Sequence, residues 1–375
     1  MRIGIDASRA ISPHPTGTET YSRRLIQALL NIDTRHSYRL YLRTPLSPNQ
    51  NDELVPQHSR VDARLRAIPF PRLWTHLRLS WEMLRFPPDL LFVPAHVLPL
   101  VHPPLSLVTI HDLGYLHFPD AHPPWQRRQL DLTTRWNARA AAHLLADSEA
   151  TRADLIRHYG APAARITVTY PGYDESLAPV RDPATIAAVK ARYGIRDDYF
   201  LYLGTLQPRK NLARLVDAFA QLPHVPTLVI AGKRGWLYDD LFNQVGRLGL
   251  KERVIFTGYI PEQDKAPLLS GALAFVFPSL YEGFGLPVLE AQACGCPVIC
   301  SATSSLPEVA GKGAMLVDPS DAEALSAAMA HLVADPAGRE KLVQRGFANL
   351  PRFSWQQCAQ TVLAVIDRLA PPEAA

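Results

Sequence analysis

Cysteine is scarce in this chain of 375 residues: there are four, Cys294, Cys296, Cys300 and Cys358. They offer no disulfide framework, which fits a reducing compartment. No run of about 18 apolar residues occurs, the length a membrane-spanning helix needs. The first residues, "MRIGIDASRA", contain no apolar core of signal-peptide length. Low-complexity tracts are absent, and the 34 prolines fall between periodic segments, where they punctuate loops. The formal net charge of +4 is too weak an excess to argue for nucleic acid. Together these absences predict a globular cytoplasmic chain, with peripheral attachment at the membrane left open.

Other absences bear on chemistry. No Gly-x-Gly-x-x-Gly follows the first strand pattern, so a dinucleotide fingerprint is excluded. No Asp-x-Asp occurs, so an acidic pair for a metal-bound diphosphate is missing. Three cysteines fall within seven residues, but Cys294-Gly-Cys296-Pro joins an apolar helix to an apolar strand, so buried thiols are expected. The histidines His96, His102, His111, His117 and His122 fit no compact ligand spacing. No metal site is expected.

What is present is an alternation. Short β-branched runs alternate with amphipathic helical segments, the pattern of parallel α/β sheets. In the first half the strand candidates are "RIGIDA", "YRLYLR", "LLFVPA", "LSLVTI", "HLLADS" and "ITVTY". In the second they are "YFLYLG", "TLVIAG", "VIFTGY", "AFVFPS" and "PVICS". Pro171, Gly172, Pro179 and Pro183 mark a linker between them. The expectation is two facing Rossmann-like parallel-sheet domains, 1–178 and 179–352, around an interdomain cleft. A C-terminal helix in 353–375, with Trp355, Cys358, Val362, Val365, Ile366 and Leu369 on its apolar face, is expected to pack on one of them. Ligands of such folds bind beyond the carboxyl ends of the strands.

Two motifs carry chemistry. In "LYLGTLQPRKNL", Arg209 and Lys210 stand beside a helix N-terminus, where two cations reinforce the positive end unless an anion binds there. In "SLYEGFGLPVLEAQACGCPVICS", Glu282 and Glu290 flank the glycine turn of Gly283, Phe284 and Gly285. Carboxylates suit vicinal hydroxyls of a sugar or ribose, and the glycines let backbone N–H groups approach a ligand. A third segment, "RLWTHLRLSWEMLRF" (72–86), mixes arginines with Trp74, Leu77, Trp81 and Leu84. It reads either as a membrane-surface helix or, in the favoured reading, as a helix packing its tryptophans on the first sheet.

The "G-x4-RKN" loop, the E-x7-E pair and "LPEVAGKGAMLVDPSDAEAL" resemble the family 4 retaining glycosyltransferases of GT-B architecture. The likeness is strongest over 199–325 and thinner at the Gly17 loop, "TIHDLGYLHFP" and "ADSEATRADLI". The resemblance implies that Lys210 and Arg209 face the diphosphate of a nucleotide-sugar donor. It implies that Glu282, with the backbone of Gly283, Phe284 and Gly285, holds the sugar hydroxyls and phosphate, and that Glu290 holds the ribose. Tyr259 and Ile260 would offer backbone contacts to the base, Gly17 would approach the diphosphate, and His111 would face the transferred sugar. His111, Lys210 and Glu282 would be the catalytic set.

The implied reaction is metal-free and uses no cofactor beyond the donor. It proceeds by same-face attack, with a donor phosphate oxygen taking the acceptor's proton. The pattern is closest to mannosyltransferase-like members, which points to GDP-mannose and to a glycan or lipid-linked acceptor at the inner membrane surface. There are two departures: Thr205 follows Gly204 where many relatives have arginine, and the early loop has a single glycine. The rival readings are a non-catalytic nucleotide-sugar-binding partner and another GT-B enzyme such as a nucleotide-sugar epimerase.

Overall fold

The computed structural model describes residues 1–12, 17–56, 59, 61–70, 72–95, 97–119, 123–222, 226–233 and 239–370. The chain divides into two compact units. The first comprises Met1–Leu116, His122–Gly172 and Phe353–Ala375; the second comprises His117–Ala121 and Tyr173–Arg352.

Unit 1 is built on seven strands: β1 Arg2–Asp6, β2 Ser37–Leu42, β3 Ala63–Ala67, β4 Leu90–Val93, β5 Leu105–Ile110, β6 His143–Ala146 and β7 Ile166–Val168. Their spatial order is β3-β2-β1-β4-β5-β6-β7, and every pairing is parallel. Ile5 of β1 lies opposite Leu40 on one side and Phe92 on the other. Parallel strands need crossovers; the β4–β5 connection has no helix among its described residues, but most of the others run through helices that pack on the sheet. That is why β4 and β6 are buried at every residue and read as continuous apolar runs.

Unit 2 repeats the scheme with six strands: β8 Tyr199–Leu203, β9 Thr227–Ala231, β10 Val254–Gly258, β11 Ala274–Phe277, β12 Val298–Ser301 and β13 Ala314–Val317. The order is β10-β9-β8-β11-β12-β13, again all parallel. The chemistry-bearing loops follow the C-terminal ends of β8, β10 and β11.

Two strands were not anticipated, β3 ("ARLRA") and β13 ("AMLV"), and both lie at sheet edges. An edge strand is paired on one side only and is often blunted with charge. Arg64 and Arg66 in β3 therefore hide it from a search for apolar runs.

The C-terminal helix, Trp355–Leu369, packs against the Gly17–Ile32 helix of unit 1. Ser354 caps it by accepting from the Gln357 N–H at 3.1 Å. Cys358, Val362, Val365 and Ile366 join a core with Leu25, Leu29 and Ile5. The chain thus returns, after building unit 2, to complete unit 1. At the crossing, a Cβ on Gly172 would lie 2.3 Å from the Trp355 nitrogen, so only glycine fits there. All four thiols are free and buried.

The 72–86 segment departs from the favoured expectation. Its first turn, Trp74–Leu79, is a π-helix, followed by an α-helix over Ser80–Arg85. Trp74 is buried and donates its indole N–H to the Ile68 carbonyl at 2.8 Å, but Trp81 faces solvent. The wider π-turn re-aims the residues that follow it, so only one of the two tryptophans packs inward.

Candidate functional site

The centre of unit 2's chemistry is a junction between two loops. After β8 the chain makes a 3₁₀ turn at Pro208–Lys210, then Asn211 takes a left-handed conformation (φ 60°) and opens the Leu212–Ala220 helix. Asn211 can hold this conformation because its amide donates to the Pro319 carbonyl at 2.7 Å and the Pro278 carbonyl at 3.2 Å. The Leu280 N–H donates to the Arg209 carbonyl at 2.8 Å, tying the turn to the segment after β11.

Across this junction Glu282 meets both cations. Its Oε2 accepts from Arg209 Nη1 at 2.8 Å, and its Oε1 pairs with the Lys210 ammonium. Arg209 Nη1 also donates to the Tyr281 carbonyl at 2.9 Å. The Lys210 ammonium lies 4.9 Å from the Phe277 ring centroid, a cation–π contact. Lys210 and Glu282 are both buried. Burial opposes charge on Glu282, but Lys210 and then Arg209 outweigh it and hold its carboxyl down at about 2. The two cations are therefore not solvated loop charges. Each already has an anionic partner, and it is the same one.

The backbone around Glu282 is held from β12's side. Ser304 Oγ accepts from the Glu282 N–H at 3.0 Å, and Ser305 Oγ donates to the Glu282 carbonyl at 2.9 Å. Gly285 then adopts φ 121°, a conformation side chains disfavour, and N-caps the Leu286–Ala293 helix. Glu290 is the fifth residue of that helix, about one turn in. It pairs with Lys265 at 3.1 Å, and Lys265 also meets Glu262 at 2.5 Å. Burial raises the Glu290 carboxyl above its ordinary range, and Lys265 offsets this only in part.

At the end of β10, Tyr259 is exposed with the Lys233 ammonium 5.0 Å from its ring centroid, while Ile260 is buried. Phe284 is buried, and its carbonyl accepts from Ser305 Oγ at 2.5 Å.

In unit 1, His111 follows β5. Its Nδ1 faces Asp147 Oδ2 at 2.6 Å and its Nε2 faces the Pro94 carbonyl at 2.9 Å. Both partners are acceptors, so the arrangement is satisfied only when both ring nitrogens carry protons. Burial opposes that charge, but Asp147 outweighs it and raises the His111 pKa. Tyr21 packs edge-on against the ring at 4.7 Å. Gly17 is exposed at the first position of its helix with open space around it. Residues 13–16 of the early loop, His96 and His122 lie outside the described residues.

Comparisons with known proteins agree over both halves. Residues 15–177 match the model "Glycosyltransferase Family 4", and residues 188–348 match "Glycosyl transferases group 1". The O-antigen chain mannosyltransferase B of Escherichia coli is 33% identical over 97% of this chain and 99% of its own length. The chain belongs to the family 4 glycosyltransferases.

The glycosyltransferase is also 31% identical, over 60% of its length, to a D-inositol 3-phosphate glycosyltransferase of Kribbella flavida, of which 56% is covered. Among solved structures it resembles sucrose-phosphate synthase from Thermosynechococcus elongatus (TM-score 0.74, 23% identity, 98% of each chain). It likewise resembles Anabaena HepE crystallised with UDP-glucose (TM-score 0.73, 19% identity, 98% and 99% covered). At these identities the structures attest the fold, which is the GT-B architecture of two parallel-sheet units.

Three partners in the glycosyltransferase escaped the sequence reading: Lys265, Asp147 and the Ser304–Ser305 pair. Lys265 is 25 residues from Glu290, and Asp147 is 36 from His111. No local spacing signals such pairs. The only hint for Asp147 was its place beside Ser148, the N-cap of the Glu149–Tyr159 helix.

Proposed function

We propose that this glycosyltransferase moves mannose from GDP-mannose to a glycan or lipid-linked acceptor with retention of configuration and without a metal. The observation that carries the reading is the Lys210–Glu282–Arg209 cluster beyond β8 and β11. Two cations held beside a helix start form an anion site, and the Glu282 carboxylate engages both of them. The donor diphosphate takes over both cations and releases the Glu282 carboxylate to the sugar hydroxyls. Glu290, with Lys265 beside it, receives the ribose hydroxyls. Tyr259 and Ile260 border the base, and the turn from Gly283 to Gly285 supplies N–H groups to the phosphates.

As the glycosidic bond breaks, negative charge grows on the leaving diphosphate, and Lys210 and Arg209 stabilise that state more than the ground state. The acceptor oxygen bonds to the anomeric carbon from the face the diphosphate leaves, and its proton passes to a phosphate oxygen. In unit 1, His111 is the group assigned to the transferred sugar. Its two ring nitrogens face Asp147 and the Pro94 carbonyl, which supports a positioning role for the ring rather than that of a base.

The name of the E. coli relative supports mannose, and its coverage of both chains supports a whole-length likeness. A panel of nucleotide sugars assayed by thermal unfolding, followed by turnover in excess chelator, tests the proposal. GDP-mannose is expected to raise the Tm most, with turnover unchanged by chelator. Activity abolished by chelator and restored by magnesium or manganese overturns the cation-only diphosphate site. A larger shift with a uridine donor overturns the choice of donor.

A further inference from the structure

In unit 1 a strip of large apolar side chains faces outward. Leu73, Leu77, Trp81 and Leu84 are 66%, 50%, 57% and 64% exposed. Their spacing of four, four and three residues places them on one side of the π-turn and the helix that follows. Phe70 and Phe86 flank the strip, exposed at 41% and 48%. The neighbouring loop is tied to it by the Val101 N–H, which donates to Ser80 Oγ at 3.2 Å, and contributes exposed Leu100 and Val101. Leu73 itself has a left-handed backbone (φ 53°), an unusual state for a leucine, and still points an apolar side chain at solvent.

The charges around the strip have one sign. From Arg66 to Pro88 there are four arginines and a single acid, Glu82. Glu82 is buried, where Arg66 and Arg78 both engage it, so it shows no negative charge at the surface. Of the acids just outside, Asp62 pairs with Arg64 at 3.1 Å, and Asp89 is turned to the Arg2 backbone N–H at 2.6 Å. Arg72 and Arg85 remain exposed beside the leucines and Trp81. No described helix is long and apolar enough to cross a membrane.

We propose that this face of unit 1 docks in the plane of an anionic lipid surface, with Leu73, Leu77, Trp81 and Leu84 inserted among the headgroups and Arg72 and Arg85 against lipid phosphates. Positive charge favours lipid over a neutral protein partner, and a tryptophan among leucines matches the chemistry of the bilayer interface. A helix with one apolar and one arginine-rich side lies in the membrane plane rather than across it. The transferase reading is not needed for this docking, which is read without donor or acceptor.

The experiment is co-sedimentation of the full chain with vesicles of phosphatidylcholine alone or mixed with phosphatidylglycerol. Binding is expected with the anionic vesicles, weaker in high salt and weak with the neutral ones. Arg72→Gln and Arg85→Gln should each lower it about fivefold, and Leu77→Ala/Trp81→Ala on the order of tenfold or more. Because these side chains are exposed, unfolding temperatures should match the parent chain, and this is checked for every variant. Equal binding to both vesicle types at all salt concentrations overturns the proposal, as does no binding to either. So does dimerisation of the lipid-free chain that Trp81→Ala abolishes, since the strip then covers a second copy.

Discussion

Glu282 and Glu290 belong to one motif, yet their surroundings push them in opposite directions. Glu282 faces two cations and is held down to about 2, fully ionised. Glu290 is raised by burial, and its one cation, Lys265, is shared with Glu262. The difference teaches that the site divides its charge unevenly. The Glu282 end is pre-arranged for an anion and occupied by an internal one. The Glu290 end sets two acids against one cation, and that excess of acceptors suits the hydroxyls of a sugar or ribose.

The largest effect should come from removing the ammonium on the Glu282 side. Lys210→Ala is expected to lower donor kcat/KM by about 2–4 kcal/mol of transition-state stabilisation, the scale of a lost electrostatic contact. Arg209→Ala should cost less, because Lys210 remains with Glu282 and Arg209 is partly exposed. Steady-state kinetics of both variants measures the gap, and unchanged rates in both would move the anion site elsewhere.

The second test separates the two acids by ligand. Removing the internal anion with Glu282→Gln should leave affinity for free GDP intact or tighter, while kcat with GDP-mannose falls. Glu290→Gln should weaken GDP and GDP-mannose alike, a uniform binding loss that shows mainly in KM, by about 1.5–3 kcal/mol for a hydrogen bond to a charged group. Calorimetry with both ligands decides. A GDP loss in Glu282→Gln as deep as in Glu290→Gln would show that the two acids do not divide the donor.

The smallest effect is on stability. A carboxyl whose folded pKa is depressed contributes stability that is present above its unfolded value, near 4.5, and lost as the pH falls toward about 2. The unfolding temperature of the parent chain should therefore exceed that of Glu282→Gln at neutral pH, and the gap should close over that window. A raised carboxyl such as Glu290 has the opposite sign, so Glu290→Gln should lose less at neutral pH. Thermal melts of the three proteins from pH 7 to pH 2.5 measure this, and equal gaps at all pH values would contradict it.

Much of this was legible beforehand, and the reasons are local. Strands buried on both faces, such as "LLFV" and "AFVF", are apolar at every position and announce themselves. Ser148 and Gly160 mark the two ends of a helix by capping chemistry that needs only neighbouring residues. The Arg209–Lys210 pair stood out because cations beside a helix start are locally unfavourable without an anion, and the glutamates because they flank a glycine turn that admits a ligand. The edge strand β3 was not legible, since half-paired strands need not be apolar and Arg64 and Arg66 interrupt its pattern.

Composition and spacing by themselves determined the parallel α/β class, the two-part organisation and the residues that bear charge at the strand ends. Those properties follow from burial periodicity and from interactions within a few residues along the chain. Only the tertiary structure decided who pairs with whom. It set Glu282 on Lys210 and Arg209, gave His111 the carboxylate of Asp147, and returned the Trp355–Leu369 helix to the first unit. It also turned Trp74 inward and Trp81 outward. Each outcome depends on residues tens to hundreds of positions apart, or on a one-residue change in helical pitch, and electrostatic and packing energies depend on distance in space rather than along the chain.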